Sequence, residues 1–253
     1  MQHGVTIKAQ KIVIYGPGGI GKTELWSLLT KVGIKPLCLD IGDSSKFIDV
    51  TRVPAEEIPT WEDLRAALQQ ESLWSGFDAV VIDDLTRAEE MAAEWVVRNI
   101  KHEKQGKPIT CIEDYGFGKG FGYVYDAFLN LLGDLDSHIR NNRHVICVCH
   151  ECTAPVPNPS GDDFIRYEPR LQSPKSGKDS IRHRVKEWCD HLFFVGYDTH
   201  VNEDGKGIGG GSRTIYSNEM PTHWAKTRSM SEQITYSRGS AGLWEKLFHH
   251  KGE

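Results

Sequence analysis

The stretch "YGPGGIGKTELW", residues 15–26, places four glycines and one proline just before a Lys-Thr pair. An apolar run, Ile12-Val13-Ile14, comes directly before it. The stretch matches the phosphate-loop pattern of two glycines five positions apart, then Lys, then Ser or Thr. In such a loop the backbone N–H groups converge on phosphate oxygens, the lysine adds positive charge and the hydroxyl can bind Mg²⁺. The sequence therefore predicts a strand, a loop that binds a nucleoside triphosphate, and a helix.

Every residue of the loop belongs to the predicted nucleotide site. These residues are Gly16, Pro17, Gly18, Gly19, Ile20, Gly21, Lys22 and Thr23. A second motif follows in "FDAVVIDDLT", residues 77–86, where an apolar run ends in Asp83. Such a carboxylate at a strand end holds the water shell of Mg²⁺. Thr23 and Asp83 are the predicted magnesium-binding pair, and Lys22 is predicted to hold the β- and γ-phosphates.

The rest of the chain alternates short apolar runs with helix-period stretches, which is typical of a parallel sheet covered by helices on both faces. Predicted strands are Lys11–Tyr15, Pro36–Asp40, Ala79–Asp83, His144–Cys149 and His191–Gly196. Predicted helices are Lys22–Lys31, Thr60–Gln70, Arg87–Lys104 and Tyr123–Arg140. The fold class is therefore α/β, and the length favours one domain over residues 1–253.

Composition and charge exclude several classes of protein. The net charge of -5 argues against a protein that coats nucleic acid by bulk charge. The first residues lack the apolar segment of a secretory signal, and no run is long enough to cross a bilayer, so we expect a cytoplasmic protein without a membrane partner. The six cysteines lie mostly in apolar runs and are expected to stay reduced. Their spacing does not predict a structural metal site.

Two segments are expected to form loops that bind nucleic acid, near residues 113–125 and 153–186. The first alternates glycine with aromatic residues around one lysine, which suits base stacking, and the second has an excess of Arg and Lys over acidic residues. The alternative is that the aromatic residues lie in the core and the basic residues form a solvated face. The nucleic-acid candidates are Phe117, Lys119, Phe121, Tyr123, Arg170, Lys175, Lys178, Arg182 and Arg184.

The order of further motifs after the phosphate loop carries a family resemblance. These motifs are "LCLDIGDS" (37–44), "VVIDDLT" (80–86), "EDYGFGKGF" (113–121), "VICVCHE" (145–151), "DHLFFVGYD" (190–198) and "PTHWAKTR" (221–228). The chain resembles the phage AAA-domain nucleotide-binding family, which has a RecA-like core and includes single-strand annealing proteins. The resemblance implies ATP with Mg²⁺ as the nucleotide and a P-loop NTPase fold of the RecA-like type.

The resemblance also implies roles for individual residues. His150 takes the place of a polar residue that senses the γ-phosphate, although a histidine at a strand end can also be structural. Lys226 and Arg228 resemble a Lys-x-Arg finger that reaches a neighbour's nucleotide, and a solvated basic pair is the alternative. The water-activating carboxylate departs from the family pattern, because Gly42 stands where Glu is usual. Either Asp43 or Asp84 replaces it, or hydrolysis is slow.

These implications lead to one functional hypothesis with two rivals. The protein is expected to be a Mg²⁺-dependent ATPase that binds single-stranded DNA and promotes annealing or strand pairing in phage-type recombination. It is expected to act as a homo-oligomer, ring or filament, with a single-strand-binding protein as a further partner. The first rival is an AAA-type motor or loader that acts on protein or duplex DNA. The second is a nucleotide-gated DNA-binding module with little hydrolysis.

Overall fold

A central sheet organises the chain in the computed structural model, which describes residues 8–104, 107–175, 177–201 and 207–248. The strands are β1 (Lys11–Gly16), β2 (Pro36–Asp40), β3 (Arg52–Pro54), β4 (Ala79–Ile82), β5 (His144–Val156), β6 (Phe164–Pro169), β7 (His191–Val201), β8 (Gly207–Tyr216) and β9 (Ile234–Thr235). The five strands predicted from the sequence are all present. The observed ends of these strands lie within a few residues of the predicted ends, except that β5 and β7 extend further toward the C-terminus.

The strand order within the described residues is β3-β2-β4-β5-β1-β7-β8-β9, and β6 pairs with β5 outside this path. The strands from β3 to β7 in this order are mutually parallel, whereas β8 and β9 extend the sheet antiparallel. The parallel order places the carboxyl ends of β1, β2, β4 and β5 at one edge of the sheet. Ligands of open α/β sheets bind at such an edge.

Helices cover both faces of the sheet. They are α1 (Lys22–Ser27), α2 (Trp61–Gln69), α3 (Leu85–Asn99), α4 (Lys119–Arg140), α5 (Ile181–Trp188) and α6 (Gly242–Phe248). The side chains of β1 alternate between two buried clusters: Val13 and Tyr15 join one cluster, and Ile12 and Ile14 join the other. The prediction that helices cover both faces of a parallel sheet is therefore confirmed. None of the helices in the described ranges combines the length and the apolar composition that crossing a bilayer requires.

The two segments predicted as loops contain regular structure. Helix α4 begins at Lys119, not at Tyr123, so the second half of residues 113–125 is helical. A Cβ at Gly120 would lie 2.1 Å from the carbonyl oxygen of Ile112. Glycine at this helical position therefore permits a close approach of two backbones. Within the basic segment, β5 and β6 form a hairpin and α5 follows it, because a partly buried edge hairpin can keep a loop-like composition.

Candidate functional site

The phosphate loop joins the end of β1 to the start of α1, as the sequence predicted. Gly16 lies against β7, where a Cβ would be 2.2 Å from the carbonyl oxygen of Val195, so only glycine fits. Gly21 has φ of +101°, and a Cβ there would lie 2.8 Å from Nη1 of Arg213. Close packing against backbone therefore requires glycine at position 16, and the left-handed backbone conformation favours glycine at position 21.

The ammonium group of Lys22 is held inside the loop. Its Nζ donates to the carbonyl oxygens of Gly16 and Pro17 at 2.7 and 2.8 Å, and the residue is only 7% exposed. Burial lowers the pKa of Lys22, and the nearby Asp83 opposes this shift. The lysine is thus positioned under the turn where the backbone N–H groups of the loop gather.

Asp83 lies beside the first turn of α1. Its Oδ2 accepts a hydrogen bond from the hydroxyl of Thr23 and another from the indole N–H of Trp26, each of 2.9 Å. Burial raises the pKa of Asp83, while these hydrogen bonds act in the opposite direction. The Trp26 contact was not predicted. The sequence feature that could have predicted it is the three-residue spacing between Trp26 and Thr23, which puts both side chains on one face of the helix.

The residues around the loop fit a magnesium nucleotide. The Thr23 hydroxyl and the Asp83 carboxylate are the hard oxygen ligands that Mg²⁺ prefers. The cavity over the loop has a volume of about 710 Å³ and is lined by Gly18, Gly19 and both of these side chains. Among the described residues, no heavy atom lies within 4 Å of a Cβ placed at Gly18 or Gly19, so the backbone there faces open space. Bound phosphates can approach this backbone closely.

Asp84 and His150 form the far wall of the same cavity. Nε2 of His150 lies 3.3 Å from Oδ2 of Asp84, and Oδ1 of Asp84 accepts the backbone N–H of Arg87 at the start of α3. His150 is paired with Gly16 at the end of the parallel part of β5. A carboxylate and an imidazole therefore face the position expected for the γ-phosphate, and either group can exchange a proton with water.

The carboxylate of Asp43 is directed away from this cavity. It forms an ion pair of 2.5 Å with Lys46, and both side chains are about half exposed. The neighbouring Asp40 accepts hydrogen bonds from the backbone of Ser44 and Ser45, which fixes the turn after β2. This turn brings Ser44, not Asp43, to the cavity. Of the two carboxylates proposed to activate water, the structure brings only Asp84 together with the loop.

The comparison with known families matches this geometry. A family model described as "AAA domain" matches residues 8–229. The chain belongs to this AAA-domain family. Among solved structures it is similar to an ATPase from the type III secretion system of pathogenic bacteria, at 12% identity and a TM-score of 0.41. That similarity covers 75% of this chain and 52% of the ATPase chain, so the chain spans about half of its length. No curated protein sequence matches the chain.

The AAA-domain protein is therefore a nucleotide-binding protein with the predicted P-loop NTPase fold and parallel core. Lys226 and Arg228 lie at the other edge of its sheet, near the amino ends of the strands. Lys226 pairs with Leu192 at the start of β7, and its Nζ donates to the carbonyl oxygens of Lys186, Glu187 and Cys189. Arg228 forms an ion pair of 3.1 Å with Asp190 and stays 64% exposed. Neither residue reaches the phosphate loop of its own chain.

The aromatic segment of the AAA-domain protein divides into buried and exposed residues. Phe117 is fully exposed, whereas the Tyr123 ring packs against the buried Tyr115 at 5.1 Å between centroids. Lys119 pairs with Glu103 at 2.6 Å on the surface. Phe121 lines a groove of about 1110 Å³ between α3, the start of α4 and residues 172–175. Phe117 is therefore open to a ligand and Phe121 faces the groove, whereas the Tyr123 ring is half-buried against Tyr115.

The basic segment also divides into two groups. Arg170, Lys175, Lys178 and Arg184 are exposed, and Lys175 lines the same groove as Phe121. Arg182 is instead half-buried, pairs with the buried Glu168 at 2.8 Å and donates to the carbonyl oxygen of Leu171. The exposed group can therefore contact phosphates, and Arg182 fastens α5 to β6.

Three further residues at the nucleotide cavity or next to it were not predicted. The Phe47 ring is 91% exposed and lines the cavity after β2, where it offers a flat apolar surface. From the other side, the hydroxyl of Tyr236 donates to the carbonyl oxygen of Gly21, and Arg238 lines the cavity. Sequence patterns gave no signal for Arg238, because the segment "SRGS" (237–240) matches no nucleotide-binding motif.

Proposed function

We propose that the protein is a Mg²⁺-dependent ATPase that binds single-stranded DNA and promotes its annealing or strand pairing, as in phage-type recombination. The supporting observation is the course of β5. The strand carries His150 at the nucleotide cavity, 3.3 Å from Asp84, and then continues into the hairpin with β6 that leads to the exposed basic residues. A change at the γ-phosphate can therefore reach the DNA-binding segment along one strand.

Hydrolysis would use groups that already face the cavity. Asp84 would orient and deprotonate the attacking water, and His150 would hold the Asp84 carboxylate in place. Lys22 would neutralise phosphate oxygens within the loop. Bound Mg²⁺ would supply charge that stabilises the transferred phosphoryl group.

Single-stranded DNA would bind at the groove between α3, the start of α4 and residues 172–175. Phe121 lines this groove, the fully exposed Phe117 lies close to it in sequence, and Lys175 adds positive charge. Aromatic rings next to cations suit unpaired bases on a charged backbone. A homo-oligomer, ring or filament, would bring Arg228 of one subunit to the nucleotide of the next, because Arg228 lies at the opposite edge of the sheet from its own phosphate loop.

The position of Asp43 favours a second candidate function, a nucleotide-gated DNA-binding module with little hydrolysis. Its carboxylate is occupied by Lys46 instead of facing the cavity. The two candidates differ in one measurement, ATP turnover with and without short single strands over a range of salt concentrations. Stimulation by DNA supports the proposed ATPase, and nucleotide binding without turnover supports the module. Turnover that does not change when single-stranded DNA is added would instead indicate a motor or loader.

A further inference from the structure

We propose that Arg238 is a nucleotide-binding residue, which the C-terminal part of the chain contributes to the α-phosphate end of the site. The proposal rests on the nucleotide-binding function proposed above and adds a cation that the phosphate-loop motif does not contain. Arg238 lines the same cavity as Gly18, Gly19 and Thr23. It is 85% exposed along its side chain and is therefore available to a ligand.

The residues on both sides of Arg238 are fixed to the phosphate loop and to the helical segment that follows it. Tyr236 donates its hydroxyl to the carbonyl oxygen of Gly21 at 2.8 Å. The N–H of Gly239 donates to Oε1 of Glu24 at 2.9 Å, and the carbonyl oxygen of Gly239 accepts from Lys31 at 2.7 Å. The segment is thus held in place before a nucleotide arrives, and only the arginine side chain has to be ordered on binding. Such preorganisation reduces the entropic cost of the contact.

Arg238 and Asp83 approach α1 from two different sides. Asp83 contacts Thr23 and Trp26, which share one helix face because they are three residues apart. Arg238 contacts Glu24, which lies about 100° around the helix from Thr23. The sheet order agrees, because β4 lies on one side of β1 and β9 on the other. Since Asp83 marks the magnesium end of the nucleotide, Arg238 lies at the end that carries the α-phosphate.

The contact between Arg238 and Glu24 is too loose to explain the arginine by itself. The Nε to Oε2 distance is 3.5 Å, and an exposed pair of this kind contributes little stability. A bound phosphate offers the guanidinium a bidentate partner with greater negative charge. Glu24 then acts as a holder that keeps the arginine near the loop until the phosphate takes its place.

The test is calorimetric titration of the full chain with Mg-ATP and with Mg-ADP. We expect Arg238→Ala to lower the affinity for both nucleotides by the same factor, about threefold to tenfold, because both contain the α-phosphate. Lys246→Ala is the matched control, since Lys246 is also an exposed cation paired with a glutamate, Glu232 at 2.9 Å. The control should bind as tightly as wild type. An unchanged affinity in Arg238→Ala, or a loss confined to ATP, would overturn the proposal.

Glu24→Gln separates nucleotide binding from a merely structural pair. The glutamine keeps an acceptor for Gly239 but releases Arg238, so affinity should stay equal to wild type or increase. If the pair were purely structural, Glu24→Gln and Arg238→Ala would instead lower the nucleotide affinity equally. Adding Arg238→Ala to Glu24→Gln should again lower the affinity. If wild type itself takes up no magnesium nucleotide, the proposed function and this inference both fail, whereas normal wild-type binding with an unaffected Arg238→Ala refutes the inference alone.

Discussion

The hydroxyl of Thr23 donates a hydrogen bond of 2.9 Å to Oδ2 of Asp83, although the two residues are 60 positions apart in the sequence. The sheet produces this contact by placing β1 and β4 on either side of β5 with their carboxyl ends at one edge. A hydroxyl and a carboxylate at this distance can share one Mg²⁺ and its water shell. The contact therefore gives the magnesium prediction a definite geometry.

Thr23→Ala should lower the affinity for Mg-ATP by about tenfold or more. It should hardly change the affinity for ATP in the presence of a chelator. The reason is that the hydroxyl acts on the metal and not on the phosphates. Titration calorimetry with and without Mg²⁺ measures both values. Thr30→Ala, an exposed threonine that follows α1, serves as the control. An equal loss under both conditions would show that Thr23 supports the loop instead of the metal.

Asp84→Asn should reduce ATP turnover by about 100-fold, because the amide cannot accept a proton from water. The substitution keeps the cap of α3, since the amide oxygen can still accept the N–H of Arg87, which the carboxylate accepts at 2.8 Å. The melting temperature should therefore stay close to that of wild type. Asp43→Asn should change turnover by no more than about twofold, because its carboxylate pairs with Lys46. The reverse ranking would identify Asp43 as the base.

The contrast between Asp43 and Asp84 shows which features the sequence could predict. Short-range patterns predicted the phosphate loop, the five strands and the helix over Thr60–Gln70, because each of these features depends on neighbouring residues. The direction of the Asp43 side chain depends instead on a turn that Asp40 fixes by accepting two backbone N–H groups. No spacing rule contains that information.

Strands β8 and β9, which the sequence did not predict, have one physical property in common. Strands β8 and β9 extend the sheet antiparallel, and β8 has the glycine-rich sequence "GIGGGSRTIY", which lacks the apolar run of a buried strand. Residues such as Arg213 and Tyr236 reach the loop only through this extension, since they lie about 200 positions from Ile20 and Gly21. Side chains brought together across such distances leave no periodic signal.

Glu89 should make the stability of the fold depend on pH. It accepts the backbone N–H of Gln172 at 2.7 Å, and burial raises its pKa from 4.5 to about 7. The folded state therefore binds the proton more tightly than the unfolded state. The contribution to stability is complete below pH 4.5 and falls as the pH rises through about 7.

Glu89→Gln should remove this decline and raise the stability at pH 8 by roughly 1 to 2 kcal/mol. The amide oxygen can still accept from Gln172, so the contact itself is kept. Thermal melts between pH 4.5 and pH 8 provide the measurement, with the exposed Glu90→Gln as the control. Parallel melting curves for wild type and Glu89→Gln would contradict the predicted titration.

Arg184 and Arg182 should respond differently when each is replaced by alanine. Arg184 is exposed, so its loss should weaken single-stranded DNA binding and reduce the salt slope by about 1. Arg182 pairs with the buried Glu168, so its loss should destabilise the fold by about 1–3 kcal/mol before it affects DNA. Binding isotherms at several salt concentrations and thermal melts separate the two effects. Lys35→Ala, at the start of β2 on the opposite edge of the sheet, should change neither value.

Arg228 should complete the nucleotide site of a neighbouring subunit, because it lies at the sheet edge opposite its own phosphate loop. Lys22→Ala and Arg228→Ala should each lose turnover alone, since one lacks the loop charge and the other the finger. In a mixture of equal amounts, random assembly gives about one quarter of the sites an intact loop and an intact finger. Turnover should recover to about that fraction. Mixing Lys22→Ala with Asp83→Asn should restore nothing, because both variants damage the same side of the site. If turnover does not recover in the first mixture, Arg228 does not act in the catalytic site. The same conclusion holds if the wild-type protein is a monomer with full turnover.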